Sequence, residues 1–189
     1  MNSHTILHRY IGIGVFLLTL GVYVKTMAPA VSFWDCGEFI ASSYLLGVPH
    51  PPGSPLYVLL GRVFSLAPIA DVAARVTFMS ALSSALAIWC VYCSTLALAR
   101  RALGGNPLMP FGDRRDVGPL SGAVLAALLL AFSYTQWFNA TEAEVYGYSI
   151  FFTCAGLWLI LYWEGSGHRQ ASDRWLLFIA YLFGLGGGL

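Results

Sequence analysis

Charged residues are scarce in this chain. Asp, Glu, Lys and Arg together make up 10% of its 189 residues, whereas soluble domains contain about one-quarter. Hydrophobic residues reach 58% and the mean hydropathy is +0.70, which excludes an ordinary water-soluble domain and predicts a protein surrounded by membrane lipids. The net charge is only +1, so no attraction to a polyanion is indicated and we expect no nucleic-acid partner.

Cysteine is also infrequent, with four residues at Cys36, Cys90, Cys93 and Cys154. All but Cys36 lie within apolar stretches, so no disulfide framework is indicated. Cys90 and Cys93 form a C-x-x-C pattern, but the chain has no second ligand pair of the kind that a structural zinc site requires. We interpret these two cysteines as packing residues.

Long apolar runs predict membrane-spanning helices, because a span needs about 17 to 25 residues. The first run could also be a signal peptide ending at Ala28-Pro29-Ala30, but its length favours a retained anchor. A fifth run stops within a glycine-rich stretch, so we expect that more protein follows Leu189. The five predicted spans are residues 9–27, 72–99, 120–138, 145–163 and 175–189.

The apolar segment 55–70 contains Arg62 and is too short to span. Short cytoplasmic loops carry the excess of Lys and Arg, which tests the topology independently. If this segment lies at the membrane surface, seven of the ten basic residues share one side with the N-terminus, which is then inside. These seven are Arg9, Arg100, Arg101, Arg114, Arg115, Arg169 and Arg174.

The outer loop 28–71 is patterned enough to contain structure of its own. Its apolar spacing predicts one interfacial helix over 36–46 and a second over 55–68. The sequence His50-Pro51-Pro52-Gly53 joins them, and Ser54 with Pro55 resembles an N-cap and first helical residue.

Two acidic pairs lie on the predicted outer side. Asp35 and Glu38 have the spacing of a capping box, which stabilises a helix by about 1 kcal/mol. Glu142 and Glu144 lie between the third and fourth spans, where Thr141 could cap the following helix. Four carboxylates on one side would repel one another unless they bound a proton, a cation or a polar ligand. The clustering favours a function, although capping remains an alternative.

Basic residues near these carboxylates are few. Arg62 and Arg75 could hold an anionic lipid headgroup through bidentate hydrogen bonds to phosphate. Alternatively, their side chains could extend to the membrane interface or pair with Asp71. His50 could carry a proton or bind phosphate, or could be a loop residue bonded to the backbone.

Two segments, Trp34–Phe39 (WDCGEF) and Leu46–Tyr57 (LGVPHPPGSPLY), resemble a family of polytopic membrane proteins in the C-type (GT-C) glycosyltransferase superfamily. This family, formerly of unknown function, includes the animal transmembrane protein O-mannosyltransferase of the endoplasmic reticulum. Glu142–Tyr146 and Tyr181–Leu185 look like further family motifs. The resemblance implies an all-α GT-C-like transmembrane bundle, of which this chain is the N-terminal part.

The resemblance also implies an activity and roles for residues. The expected reaction moves a sugar, most simply mannose, from a polyprenyl-phosphate lipid to a hydroxyl of a protein or glycan acceptor on the outer face. Asp35 matches the family's acidic residue at the acceptor and is the expected base, with Glu38 orienting the acceptor or its neighbours. The donor phosphate would contact His50, Arg62 and Arg75.

A divalent metal, Mg²⁺ or Mn²⁺, is a further implication, because related oligosaccharyltransferases hold one with an acidic pair that Glu142 and Glu144 resemble. Asp35 would complete that set, although protein O-mannosyltransferases do not clearly need the metal. The expected location is a bacterial cytoplasmic membrane, or the endoplasmic reticulum in a eukaryote. Family members are longer, so we expect this stretch alone to be incomplete. The rival hypothesis is a non-enzymatic transporter-like or lipid-binding subunit whose carboxylates bind cations.

Overall fold

The computed structural model describes residues 3–104, 117–165 and 172–188, and these residues form helices and turns without a strand. The observation confirms the all-α class. The helices of the described residues are α1 (Ser3–Thr26), α2 (Cys36–Leu45), α3 (Pro55–Ser65), α4 (Val72–Ala102), α5 (Val117–Ala131), α6 (Tyr134–Thr141), α7 (Tyr146–Gly165) and α8 (Ser172–Gly186).

Three of these helices, α1, α4 and α7, are long and apolar enough to cross a membrane. The bent pair α5 and α6 counts as a fourth span if it is taken as one element. Helix α8 has 15 residues, which is shorter than a full span. The protein is therefore an α-helical membrane bundle with three or four spans among the described residues, against the five apolar runs of the sequence.

The predicted single helix over 120–138 is wrong, because α5 ends at Ala131 and α6 leaves it at an angle of 63°. Ser133 has an extended backbone, and its hydroxyl donates to the carbonyl oxygen of Leu130 at 2.8 Å. Such a side chain competes with the helical hydrogen-bond ladder. The Tyr23 hydroxyl of α1 donates to the carbonyl oxygen of Ala131 at 2.8 Å, which satisfies a backbone group where a membrane offers no water.

Helix α4 is the central element and packs against α1, α2, α3, α5, α6 and α7. Its buried face carries small residues, including Ser80, Ala81, Ser84 and Ala85. A side chain at Gly147 of α7 would meet the Ser84 hydroxyl at 2.8 Å. Small residues on both helices therefore allow the close approach that drives helix association in membranes.

One end of the bundle is basic. The Tyr92 hydroxyl donates to the carbonyl oxygen of His8 at 2.9 Å, which places the start of α1 beside the C-terminal part of α4. Arg101 at the end of α4 forms an ion pair with Glu164 at the end of α7. Three of the seven arginines on which the predicted topology rests, Arg114, Arg115 and Arg169, lie outside the described residues.

The opposite end, formed by residues 28–71 and 142–145, is called the acidic end below. Helices α2 and α3 lie there, close to the predicted ranges 36–46 and 55–68. Phe39 and Tyr57 are buried in one cluster with Met79 of α4 and Tyr148 of α7. This cluster fixes α2 and α3 to the ends of the spanning helices, and this packing determines the position of the acidic side chains.

Candidate active site

Cys36 connects the two acidic pairs. Its Sγ lies 3.6 Å from Oε2 of Glu142 and 3.7 Å from Oε1 of Glu144. The thiol is fully buried, and it is adjacent in sequence to the exposed Asp35. Residues that are more than a hundred positions apart in the chain therefore form one polar cluster at the acidic end.

The surroundings of this cluster favour the protonated forms of its buried groups. Burial, then the charges of Glu144 and Glu142, raise the pKa of the Cys36 thiol to about 11, so the thiol remains a hydrogen-bond donor at neutral pH. Glu144 is 7% exposed. Burial first, and the negative charges of Asp35 and Glu142 after it, raise the pKa of Glu144, against the hydrogen bond from Cys36. The surroundings of Glu144 thus favour the uncharged form of its carboxyl.

The capping-box interpretation of Asp35 and Glu38 is wrong. Asp35 has helical backbone angles (φ −79°, ψ −3°) and its side chain makes no capping hydrogen bond, because an N-cap normally needs an extended backbone. The Glu38 carboxylate turns to the following loop instead. It accepts hydrogen bonds from the backbone N–H of His50 at 2.7 Å and from Nδ1 of the His50 ring at 2.8 Å.

His50 is fixed against α2 by more than this pair of hydrogen bonds. Its ring meets the Phe39 ring edge-on, with the ring centres 5.5 Å apart. The hydrogen bond to Glu38, with the charges of Glu38, Asp35 and Glu144, raises the pKa of His50 against some desolvation. The hydrogen bonds from His50 lower the pKa of Glu38. The two side chains therefore stabilise each other as an imidazolium and a carboxylate.

The expected metal set can be tested against these positions. Among the described residues, the group of three whose ligand atoms lie within 4.8 Å of one another is Asp35, Glu38 and His50. Asp35 is not brought to that spacing with Glu142 and Glu144, whose oxygens contact the Cys36 thiol instead. The set implied by the resemblance therefore does not fit a metal in this arrangement.

The turn before α7 does not contain the helix cap that the sequence allows. Capping of the fourth spanning helix by Thr141 is the alternative that the sequence leaves open. Thr141 is instead the last residue of α6, and its hydroxyl donates to the carbonyl oxygen of Trp137 at 3.0 Å. Glu142 has an extended backbone and α7 begins only at Tyr146. The glutamates thus precede the positive end of the α7 dipole without capping by Thr141.

Arg62 and Arg75 contact backbone carbonyls and do not contact the acidic pairs. Arg62 donates to the carbonyl oxygen of Tyr44 at 2.6 Å, and its guanidinium carbon lies 5.5 Å from the centre of the Tyr44 ring. Arg75 donates to the carbonyl oxygens of Ser65 and of Ala70, the latter at 2.9 and 3.2 Å. An arginine has five N–H donors, so Arg62 retains donors for an anionic ligand whereas Arg75 mainly holds the end of α3.

Residues 35–189 match the family described as the Protein O-mannosyl-transferase TMEM260 N-terminal domain. The matched range begins at Asp35 and contains both acidic pairs and His50. The chain belongs to this family. The resemblance stated from the sequence motifs is thereby confirmed, and with it an N-terminal part of a GT-C-like transmembrane protein.

Two members of the family are similar over most of this chain. It is 30% identical to the Protein O-mannosyl-transferase TMEM260 of Mus musculus over 135 residues, which are 71% of this chain and 17% of that protein. It is 27% identical to the tmem260 protein of Dictyostelium discoideum over 148 residues, or 77% of this chain and 16% of that protein. The chain thus spans less than a fifth of these relatives. No solved structure matches it.

Within this family framework, the structure brings together most of the residues singled out from the sequence. Asp35, Glu38 and His50 are adjacent, and Glu142 and Glu144 join them through Cys36. Cys36 is a further member of this cluster that the sequence prediction does not include. Two features of the sequence distinguish Cys36: it is the one cysteine outside the apolar stretches, and it lies between the two acidic residues of the first motif.

Proposed function

We propose that this chain is the part of a membrane mannosyltransferase that carries the catalytic carboxylate, and that Asp35 is this carboxylate. The donor is a polyprenyl-phosphate-linked mannose, and the acceptor is a hydroxyl of a protein. Relatives named as protein O-mannosyl-transferases support the sugar and the acceptor. The single observation that carries the proposal is an exposed Asp35, released from capping, beside an ordered histidine at one end of a membrane bundle.

The proposed reaction is a displacement at the anomeric carbon. The acceptor hydroxyl gives its proton to the Asp35 carboxylate as its oxygen forms the new bond to that carbon. The bond from the carbon to the phosphate oxygen breaks, and its electron pair leaves on the polyprenyl phosphate. Hydrogen-bond donors placed in advance, from His50 and Arg62, stabilise the negative charge of the departing phosphate.

The orientation in the membrane is part of the same proposal. The acidic end faces the outside of a bacterial cytoplasmic membrane, or the lumen of the endoplasmic reticulum, and the N-terminus lies inside. Arg9 and Arg101 support this, because they belong to the opposite end of the bundle and arginines concentrate on the cytoplasmic side. A lipid donor then reaches Asp35 from the bilayer, and the acceptor reaches it from the aqueous side.

The test is transfer of radiolabelled mannose from polyprenyl-phosphate mannose to a serine- and threonine-containing peptide. The full product of the gene, reconstituted in liposomes, is compared with Asp35→Asn and with a control, Glu164→Gln, whose side chain pairs with Arg101 at the basic end. We expect Asp35→Asn to lose transfer by at least 100-fold and the control to keep it. Equal transfer by Asp35→Asn and the wild type would refute the proposal and favour the non-enzymatic, cation-binding alternative.

A further inference from the structure

The two carboxylates of the first acidic pair differ in what their oxygens contact. Both oxygens of Glu38 accept hydrogen bonds from His50, Oε1 from the backbone N–H at 2.7 Å and Oε2 from the ring at 2.8 Å. A carboxylate held in this way is a weaker base, because its lone pairs are engaged in bonds that favour the charged form. Asp35 has no capping bond of this kind. Glu38 is therefore poorly suited to take a proton from an acceptor.

The same contacts define the orientation of the His50 ring. Nδ1 is bonded to Glu38, the ring edge packs on Phe39, and the backbone N–H of Gly53 donates to the carbonyl oxygen of His50 at 2.9 Å. The backbone and the ring are thus both fixed. Nε2 makes no hydrogen bond within the described ranges 3–104, 117–165 and 172–188, so it is the nitrogen that remains for a ligand.

The charges around His50 favour its protonated form. Three acidic groups act on it: Glu38 and Asp35 from the α2 segment and Glu144 from the turn before α7. A carboxylate bonded to one ring nitrogen fixes the tautomer and favours a proton on the ring. In the imidazolium form the Nε2–H group is a charged donor, and phosphate oxygens are strong acceptors for such donors.

We propose that Glu38 is a positioning residue that holds His50 in one orientation, so that the Nε2–H group of His50 donates to the departing phosphate of the lipid donor. The inference rests on the proposed function and changes the role expected for Glu38, which contacts neither the acceptor nor the sugar. No proton transfer is involved, because His50 donates a charged hydrogen bond to the leaving oxygen while Asp35 takes the acceptor proton.

A first test follows His50 directly and needs no catalysis. The full product of the gene is labelled with ¹³C-histidine in lipid nanodiscs, and the His50 signal is assigned by its loss in His50→Gln. We expect a titration midpoint above the ordinary histidine value of 6.5 in the wild type and in Glu164→Gln, and a fall toward that value in Glu38→Gln. An unchanged midpoint in Glu38→Gln would overturn the pairing.

A second test asks whether the two residues act as one unit in transfer. We expect His50→Gln to lower kcat by about 100-fold, the size of effect seen when one preorganised donor to a developing charge is removed. Glu38→Gln should lower it at least tenfold with little change in KM for the acceptor peptide, and the double variant should be no slower than His50→Gln, since residues of one unit are not additive. Losses that multiply in the double variant would overturn the proposal.

These outcomes separate the inference from the function on which it rests. If Asp35→Asn keeps full transfer, the proposed function fails, yet the nuclear magnetic resonance titration still decides whether Glu38 governs His50. If Asp35→Asn is inactive while Glu38→Gln keeps the wild-type rate and midpoint, the function stands and the positioning role is refuted. Thermal unfolding of each variant checks that a lower rate does not reflect loss of the folded protein.

Discussion

The crossing of α2 and α3 offers a sharp prediction about what positions the site. Gly61 of α3 faces Ser43 of α2, which is fully buried. A Cβ atom added at Gly61 would lie 2.3 Å from the Ser43 hydroxyl oxygen and 2.7 Å from the Ser43 Cβ. The hydroxyl can rotate away, but the Cβ is fixed to the backbone. In Gly61→Ala, α2 must therefore move.

The size of the effect can be worked from these distances. Ordinary contact begins at 3.4 Å and the Cβ would lie at 2.7 Å, so the two helices must separate by about 0.7 Å. Overpacking of this kind costs about 1 to 3 kcal/mol, offset by about 1 kcal/mol because alanine favours a helix over glycine. Gly21 of α1 has no atom within 4 Å of an added Cβ, so Gly21→Ala receives only the favourable term. The difference between the two variants isolates the packing cost.

Thermal unfolding in detergent, followed by tryptophan fluorescence, measures this difference. We expect Gly61→Ala to unfold at a lower temperature than Gly21→Ala. Addition of Ser43→Gly to Gly61→Ala should recover part of the loss, because contacting residues are typically coupled by about 0.5 to 3 kcal/mol. Transfer activity should fall with it, since α2 carries Glu38. Equal stability of the Gly61→Ala and Gly21→Ala variants would refute the close crossing and the reasoning about how α2 is held.

Two further predictions concern the acidic end and the helix break. The pKa of Glu38 is lowered, so the stabilisation from Glu38 is present above pH 4.5 and is lost as the pH falls through the lowered pKa. The pKa of His50 is raised, so the stabilisation from His50 is present below pH 6.5 and is lost as the pH rises through the raised pKa. The difference in unfolding temperature between the wild type and Glu38→Gln should thus be largest between about pH 4.5 and 6.5. A difference that does not change with pH would contradict the pairing. Tyr23→Phe leaves the Ala131 carbonyl without its hydroxyl donor and should lower stability by about 1 to 3 kcal/mol, whereas the same change at Tyr10, whose side chain is exposed, serves as the control in the same assay.

The spanning helices could be predicted because the length of an apolar run is a local property. The break between α5 and α6 could not. Residues 120–138 are mostly apolar, with Ser121, Ser133, Thr135 and Gln136 as exceptions. At the break, the Ala131 carbonyl accepts a hydrogen bond from Tyr23, which lies 108 positions away in the chain. A hydroxyl at Ser133 is common within helices and by itself gives no signal. The bend therefore requires knowledge of which helix packs against this segment.

The first acidic pair shows the same limit at shorter range. A separation of three residues is compatible with a capping box, with two ligands on one helical face, or with two unrelated side chains. What decides between them is the path of the loop, which returns His50 to Glu38 across 12 residues. The sequence motif therefore indicated that Glu38 matters without indicating what it contacts.

The second acidic pair, Glu142 and Glu144, lies against the thiol of Cys36. A buried carboxyl such as Glu144 is costly when charged, and three other acidic residues lie in the same cluster. The neutral thiol reduces the repulsion, because its one S–H lies within hydrogen-bond distance of both glutamates and adds no charge. The raised pKa of Glu144 reduces it further, because burial favours the uncharged form of this carboxyl. Of the two exposed carboxylates of the first acidic pair, Glu38 is bonded to His50 through both oxygens, whereas Asp35 makes no capping hydrogen bond. Asp35 is therefore the carboxylate of this pair that is open to an acceptor, as a base acting at the membrane surface requires.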